Sequence, residues 1–361
     1  VTTVDVTTVD VRRDGPVLCA MSGGVDSSVA AALLVEAGVE VAGVTLKLWG
    51  GSSDQGCCSV ADVDDARRVA DHLGIDHHVF AFSDEFQAAV VDDYVAAHAA
   101  GRTPNPCVEC NRSIKFDRLL VRSRELGFAA VATGHHARVV ATAQGPRLAR
   151  GADRAKDQSY VLYPLVGSDL DEVCFPVGGF DKDDVRSVAR DLGLRTAGKA
   201  DSQDLCFIGS ERGRAGFLGD RLTLTPGRVV DPTGAELGQV PAVEMVTVGQ
   251  RRGLGVAGGP PRYVLDVDVG AATVVIGLEH DLLVESTQVD RVVWAGAPVD
   301  GRVTAQTSAH GEPRFADLVP VGLDGAVLRW QEPTRRVAPG QSVVLYDGDL
   351  VVAGGIATAQ R

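Results

Sequence analysis

A strand-like apolar run, Val17-Leu18-Cys19-Ala20-Met21, passes into a helical one through Ser22-Gly23-Gly24-Val25-Asp26-Ser27-Ser28. Residues of these types at this spacing can cradle a pyrophosphate. Gly23 and Gly24 permit positive φ and close backbone approach, and the amides of Gly24, Val25 and Asp26 point out of a helix N-terminus, where the dipole favours an anion. Ser22 and Ser27 add hydroxyl donors, and Asp26 is expected to cap the helix or hold Mg²⁺. No lysine follows the glycines, as the phosphate loop of ordinary nucleoside triphosphatases requires. The chemistry indicated is cleavage between the α- and β-phosphates of ATP, with pyrophosphate leaving. The competing reading, a glycine turn that binds nothing, is weakened by the full seven-residue string behind a strand.

The thiols are the second reactive set. Cys107 and Cys110 lie in RTPNPCVECNRSIKF, where two prolines predict a rigid extended turn ahead of a basic helix, and Cys206 lies in KADSQDLCFIG. A thiol near a helix N-terminus, or beside Arg112 and Lys115, reacts as thiolate because its pKa is lowered. Other readings compete. Cys57 and Cys58 are zinc-ligand candidates with Cys107 and Cys110, although adjacent cysteines are poor tetrahedral ligands and a second Cys-x-x-Cys is absent. Cys107 and Cys110 resemble a redox pair, but they do not open a helix after the first strand. Cys19 and Cys174 sit in apolar runs and read as core. No metal site is expected from these patterns.

The elements that must position these groups alternate. Strand-like VLCAM, VAGVTL, HHVFAF and AAVAT are interleaved with helical stretches at 27–37, 59–73, 84–100 and 114–126, and 181–192 reads as another amphipathic helix. This predicts an α/β fold with a doubly wound parallel sheet. Ligands in such sheets sit beyond the strand carboxyl ends, where both the glycine loop and Ala132-Thr133-Gly134-His135-His136 emerge. From about Thr223 short β-branched runs punctuated by Gly and Pro take over. They predict a small β-rich domain and then a terminal antiparallel barrel.

With 361 residues the chain is long enough for two or three domains. It shows no membrane-spanning run and no signal-peptide-like start, which together predict a cytoplasmic protein; its opening, with a doubled VTTVD, reads as a loose tail. Seven cysteines in such a chain argue for thiol chemistry over a disulfide scaffold. A net charge of −13 excludes a generically basic nucleic-acid binder, but residues 101–160 carry eleven Lys/Arg against five acids, a local +6. By charge alone that stretch is either a solvated face or the footprint of a polyanion.

In chain order, SGGVDSS, TPNPCVECNRSIKF, ATGHHA, KDQSYVLY, FPVGG, DSQDLCFIG, VGQRRGLG and APGQSVVLY resemble the motif series of the tRNA-specific 2-thiouridylases. These belong to the PP-loop ATP pyrophosphatases and place sulfur on C2 of the wobble uridine. The resemblance spans roughly 16–361. It implies an N-terminal tail at 1–15, a PP-loop domain at 16–208, a central β-rich domain at 209–280 and a C-terminal β-barrel at 281–361. Carried over position by position, Ala20, Met21, Ser22, Gly23, Gly24, Val25, Asp26 and Ser27 would bind ATP phosphates, Leu46 would line the adenine pocket through its backbone, and Gly134 would also touch nucleotide. Cys110 takes the nucleophile position and Cys206 that of the persulfide carrier. Asn105, Pro106, Cys107, His135, Lys156, Asp157, Gln158 and Gln341 match tRNA-contact positions, and the basic stretch would steer phosphates inward.

The implied reaction uses ATP with Mg²⁺ to adenylate the C2 oxygen of a base held out of its stack. Sulfur then passes from a Cys206 persulfide, and a Cys110–Cys206 disulfide remains to be reduced. Implied partners are tRNAs for Lys, Glu and Gln and a persulfide donor, either a cysteine desulfurase or a sulfur-relay protein, with no membrane. The chain departs from the family pattern in having Cys107 where many relatives have Asp, a role that would pass to Glu109 or Asp201 or would not be needed. Ala20 replaces a common Gly and Leu46 a common Met, and an Arg-Tyr pair is missing near 307–310. The rival functions are a 4-thiouridine or argininosuccinate-type synthetase and a non-catalytic RNA-binding or zinc protein. ATP-dependent pyrophosphate release separates the last from the others.

Overall fold

A computed structural model describes residues 14–49, 59–168, 170–200, 205–209 and 212–358. Cys57, Cys58, Asp201 and nearly all of the expected N-terminal tail lie outside them. The chain forms two compact units. The first contains residues up to Val90, Cys107–Gly209 and Asp349–Val351; the second contains Val91–Pro106, 212–348 and the rest of the C-terminal segment.

In the first unit, β1 (Val17–Ala20), β2 (Val41–Lys47), β3 (His77–Ala81), β4 (Ala130–Thr133) and β7 (Val173–Cys174) make a parallel sheet in the order β3-β2-β1-β4-β7. A hairpin of β5 (Ala137–Thr142) and β6 (Gly145–Arg150) follows β4 directly. Because β1 is central, the chain leaves it for β2 on one side and later returns on the other as β4. Ala20 pairs with both Val44 and Thr133, so the loops after β1 and β4 emerge at the same height. That crevice is where an open α/β sheet receives ligands.

The helix after the loop, Val25–Glu36, is apolar nearly all round and is buried from Val29 to Leu34 between the sheet and the helices Val60–Leu73 and Lys182–Asp191. Ser59 caps the helix Val60–Leu73, its Oγ accepting the Asp62 amide at 3.2 Å, and Gly74 ends it at φ +70°, a conformation cheap only for glycine. The expected helix at 114–126 begins earlier. Pro106 opens a helical run continuing through the π-helical Cys110–Arg118 to Leu119–Glu125. Proline at the first helical position loses no hydrogen bond and has its φ preset, so of the two prolines only Pro104 lies outside the helical run.

In the second unit, β8 (Gly227–Val230), β9 (Glu236–Val240), β10 (Tyr263–Asp268) and β11 (Thr273–Gly277) form a four-stranded sheet, β10-β11-β8-β9, over a core of Val229, Val264, Val274 and Ile276. Six further strands follow: β12 (Leu283–Trp294), β13 (Gly301–Gln306), β14 (Arg314–Val321), β15 (Gly325–Arg335), β16 (Ser342–Asp347) and β17 (Leu350–Ala357). They run β12-β15-β14-β13-β16-β17, and β12 pairs back to β17, closing an antiparallel barrel as expected. Closure removes the exposed edges that an open sheet would present. Inside, the Trp330 indole donates to buried Thr287 Oγ1 at 3.0 Å. Among the described residues no helix is long and apolar enough to cross a membrane.

Candidate active site

The glycine loop forms as its sequence predicts. Gly23 takes φ +72°, and Gly24 is the extended N-cap of the helix Val25–Glu36. A Cβ on Gly23 would lie 2.3 Å from the carbonyl oxygen of Asp62, so the position admits no side chain. The loop is laced internally. Ser27 Oγ lies 3.1 Å from both the Ser22 amide, which donates to it, and the Gly24 carbonyl, and Ser28 Oγ donates to that carbonyl at 2.8 Å. Thr45 of β2 donates to the Met21 carbonyl at 2.7 Å, and its neighbour Leu46 is buried. Across the crevice, a Cβ on Gly134 would stand 2.5 Å from the Ser27 amide. The turn after β4 is thus pressed onto the start of the loop helix.

Asp26 does not cap the helix, contrary to one expectation; the backbone of Gly24 fills that place without a side-chain cap. Its carboxylate faces Lys182, with Nζ at 2.6 and 2.7 Å from the two oxygens, and His136, with Nε2 at 3.2 Å. Burial works against the Asp26 charge, but the hydrogen bonds from His136 and Lys182 outweigh it and hold the carboxyl below its usual range. Lys182 was not visible to sequence reasoning. It lies 156 positions from Asp26, in the first turn of a helix whose Asp183 and Asp184 make the segment look like a solvated N-terminus. The only advance signal was the missing lysine of the loop. Lys182 also borders a cavity of about 590 Å³ lined by Asp153, Lys156, Asp181, Asp183 and Arg186.

Cys110 is buried at the start of the π-helical stretch, and Cys107 is exposed three residues earlier. Glu109, between them, is engaged by Arg112 at 3.2 Å and by Ser113, which leaves it poorly placed to act as a free base. Cys206 is half-buried, and the adjacent Phe207 is pinned among aromatic rings, 5.7 Å from Phe86 and 6.3 Å from Trp49. Cys19 and Cys174 are core residues as expected; burial, with the neighbouring Cys174 thiol, pushes the Cys19 thiol far up, where it is inert. All five described cysteines stand as thiols, and no group of three or more metal-ligating side chains occurs among the described residues.

The tRNA-contact candidates divide. Asp157 faces inward, accepting from Arg150, the Gly151 amide and Ser159 at 2.8–3.0 Å. Gln158 accepts the His136 amide at 2.8 Å, and so helps place the histidine beside Asp26. His135 rests between the rings of Phe116 and Phe175, its Nδ1 2.7 Å from Thr133 Oγ1; burial, with Lys115 and His136 nearby, keeps it neutral. Lys156 lines the cavity. In the second unit, Gln341 donates to the Thr103 carbonyl at 2.7 Å, two residues before Asn105. The +6 stretch is only partly offset by the rest of the fold: Arg124 pairs with Glu172, and both Arg138 and Arg154 with Asp349, whereas Arg112 with Glu109, Arg122 with Glu125 and Arg150 with Asp157 pair with acids of the stretch itself.

Three family models match successive parts of the chain: a tRNA methyl transferase HUP domain over 15–210, a tRNA methyl transferase PRC-barrel domain over 215–278 and an aminomethyltransferase beta-barrel domain over 284–357. The tRNA-specific 2-thiouridylase MnmA of Sorangium cellulosum is 45% identical, the match covering 94% of this chain and 91% of that one. The protein of the same name from Mycobacterium avium is 47% identical, over 93% and 97%. Among solved structures, the U34-tRNA thiolase NcsA of Methanococcus maripaludis, with its [4Fe-4S] cluster, aligns at 18% identity and a TM-score of 0.37, over 58% of this chain and 64% of that one.

Proposed function

Because the chain belongs to the tRNA-specific 2-thiouridylase family, we propose that it is an ATP-dependent sulfurtransferase that converts the wobble uridine of tRNA to 2-thiouridine. The observation that carries this reading is that the glycine loop, the Asp26–Lys182 pair, Cys110 and Cys206 all belong to one compact unit. The descriptions of the matching domain models speak of methyl transfer, but the near full-length relatives and two thiols in reactive sequence contexts favour sulfur. The domains proposed are 16–208, 209–280 and 281–361.

The C2 carbonyl of uridine is a poor electrophile with no leaving group. Attack of its oxygen on the α-phosphorus of ATP makes AMP the leaving group and expels pyrophosphate into the amides of Gly24, Val25 and Asp26 and the Ser22 and Ser27 hydroxyls. Leu46 and Gly134 would line the nucleotide. Mg²⁺, when bound, would neutralise charge on the phosphates; Asp26 is the hard oxygen donor beside the loop and fits it, since magnesium needs only one or two protein carboxylates. Lys182, once free of Asp26, supplies the cation that the loop lacks. Asn105, Pro106 and Cys107 would position the target base, and His135, Lys156, Asp157, Gln158 and Gln341 would order the surrounding RNA, the inward-facing ones through the loops they brace.

Sulfur transfer then balances over two thiols. A persulfide, donated to Cys206 by a cysteine desulfurase or a relay protein, attacks C2 through its outer sulfur as AMP leaves. The Cys110 thiolate attacks the Cys206 sulfur, releasing 2-thiouridine and leaving a Cys110–Cys206 disulfide, which an external dithiol reduces. The substrates proposed are the tRNAs for Lys, Glu and Gln, in the cytoplasm. The first half-reaction tests the reading. AMP and pyrophosphate should form from ATP only when an unmodified tRNA bearing a wobble uridine is present. Release of ADP and phosphate instead, or turnover indifferent to tRNA, would contradict it.

A further inference from the structure

We propose that the turn at 247–255 is an RNA-backbone clamp, in which Arg251 and Arg252 hold phosphate groups of the tRNA; this rests on the tRNA reading above. The motif VGQRRGLG carries no thiol and no carboxylate, yet its backbone is tightly held. Gly249, Gly253 and Gly255 all take positive φ, where other residues are strained. A Cβ on Gly255 would stand 2.1 Å from the Gln239 carbonyl oxygen, so β9 lies directly against the turn. Gln250 stitches it together: its Oε1 accepts the Thr247 amide at 3.1 Å, its Nε2 donates to the Arg252 carbonyl at 2.8 Å, and its own carbonyl accepts Val264 of β10 at 2.9 Å. Leu254 anchors the far end in the core.

On this fixed backbone the two arginines are exposed, and among the described residues neither pairs with a carboxylate. Six arginines of residues 101–160 are instead held in ion pairs within the protein. Two adjacent guanidiniums suit phosphate oxygens, and a braced turn presents them with little ordering cost on binding. The placement suits the substrate as well. Thr103 Oγ1 donates to Thr247 Oγ1 at 3.1 Å, and Thr103 opens the Thr103-Pro104-Asn105-Pro106 segment within the same unit. The clamp therefore adjoins, within its own unit, the segment that carries the tRNA-contact candidates Asn105 and Pro106.

The test is binding of an unmodified tRNA transcript with a wobble uridine, measured across a salt series. The double variant Arg251→Gln/Arg252→Gln should bind at least about tenfold more weakly near physiological salt. Its slope of log affinity against log salt should be shallower by roughly 1.4 to 1.8, as expected for two lost phosphate contacts. Arg251→Lys/Arg252→Lys should retain most of the affinity, and the unfolding midpoint should not move in either. An unchanged affinity and slope in the Gln pair overturns the clamp. So does intact tRNA binding combined with loss of sulfur acceptance from a donor protein, which would mark the turn as a face for an acidic protein. Wild-type protein with no salt-dependent affinity for the transcript would overturn the tRNA reading itself, and the clamp with it.

Discussion

Lys182→Met should lower tRNA-dependent AMP and pyrophosphate formation by a factor on the order of 10² to 10³, the scale of losing one preorganised charge at a developing anion. Lys182 is buried and aimed at both oxygens of Asp26; on the reading proposed above it would leave Asp26 to become a phosphate ligand when ATP binds. A structural role and a chemical one are separable here. Lys182→Met alone leaves the Asp26 carboxylate without its ammonium partner and should destabilise the unit. Asp26→Asn/Lys182→Met removes both charges and should recover most of that stability while remaining inactive. Recovery of ATP turnover in the double variant would mean that the pair is only a brace. Since Asp26 is held below the usual carboxylate range, it stays ionised throughout pH 6 to 8. Loss of the first half-reaction within that window must therefore come from another group.

The thiol variants should split the reaction in two. Cys110→Ala and Cys206→Ala should each eliminate 2-thiouridine, yet both should still form AMP and pyrophosphate, because the glycine loop and Lys182 are untouched. Cys107→Ala should keep measurable thiolation. Cys107 is exposed, and the family resemblance implies an Asp at its position in many members, so a thiol there is not what the proposed chemistry requires. Mass mapping should place the persulfide on Cys206. Finding it on Cys107, with thiouridine still made by Cys206→Ala, would reverse these roles.

What the sequence revealed and what it hid follow from the range of the interactions. The glycine loop was legible because its conformation is set locally: the positive φ of Gly23 and the turn from strand to helix lie within seven residues, although the cap expected of Asp26 falls to Gly24. The parallel sheet was legible from apolar runs alternating with amphipathic ones. The helix that begins at Pro106 was read as starting at Ile114, because a proline pair looks extended until one of the two occupies the first helical position. Lys182, the inward turn of Asp157 and Gln158, and the pairing of Arg138 and Arg154 with Asp349 depend on contacts across tens to hundreds of residues. No local pattern encodes them. Local charge counts missed part of the picture for the same reason: Arg124, Arg138 and Arg154 of the +6 stretch find Glu172 and Asp349 outside it, while among the described residues the two arginines of the glycine-rich turn meet no carboxylate.

On the reading proposed above, this chain puts sulfur on C2 of a tRNA wobble uridine. The most direct measurement is mass spectrometry of the nucleosides of an unmodified tRNA, mapped to position, after incubation with the protein, ATP, Mg²⁺ and a persulfide donor. 2-Thiouridine is expected at the first anticodon position, formed only when ATP and the donor are both present. A product carrying a methyl group, a thiouridine at another position, or an unaltered wobble uridine despite ATP consumption would contradict it.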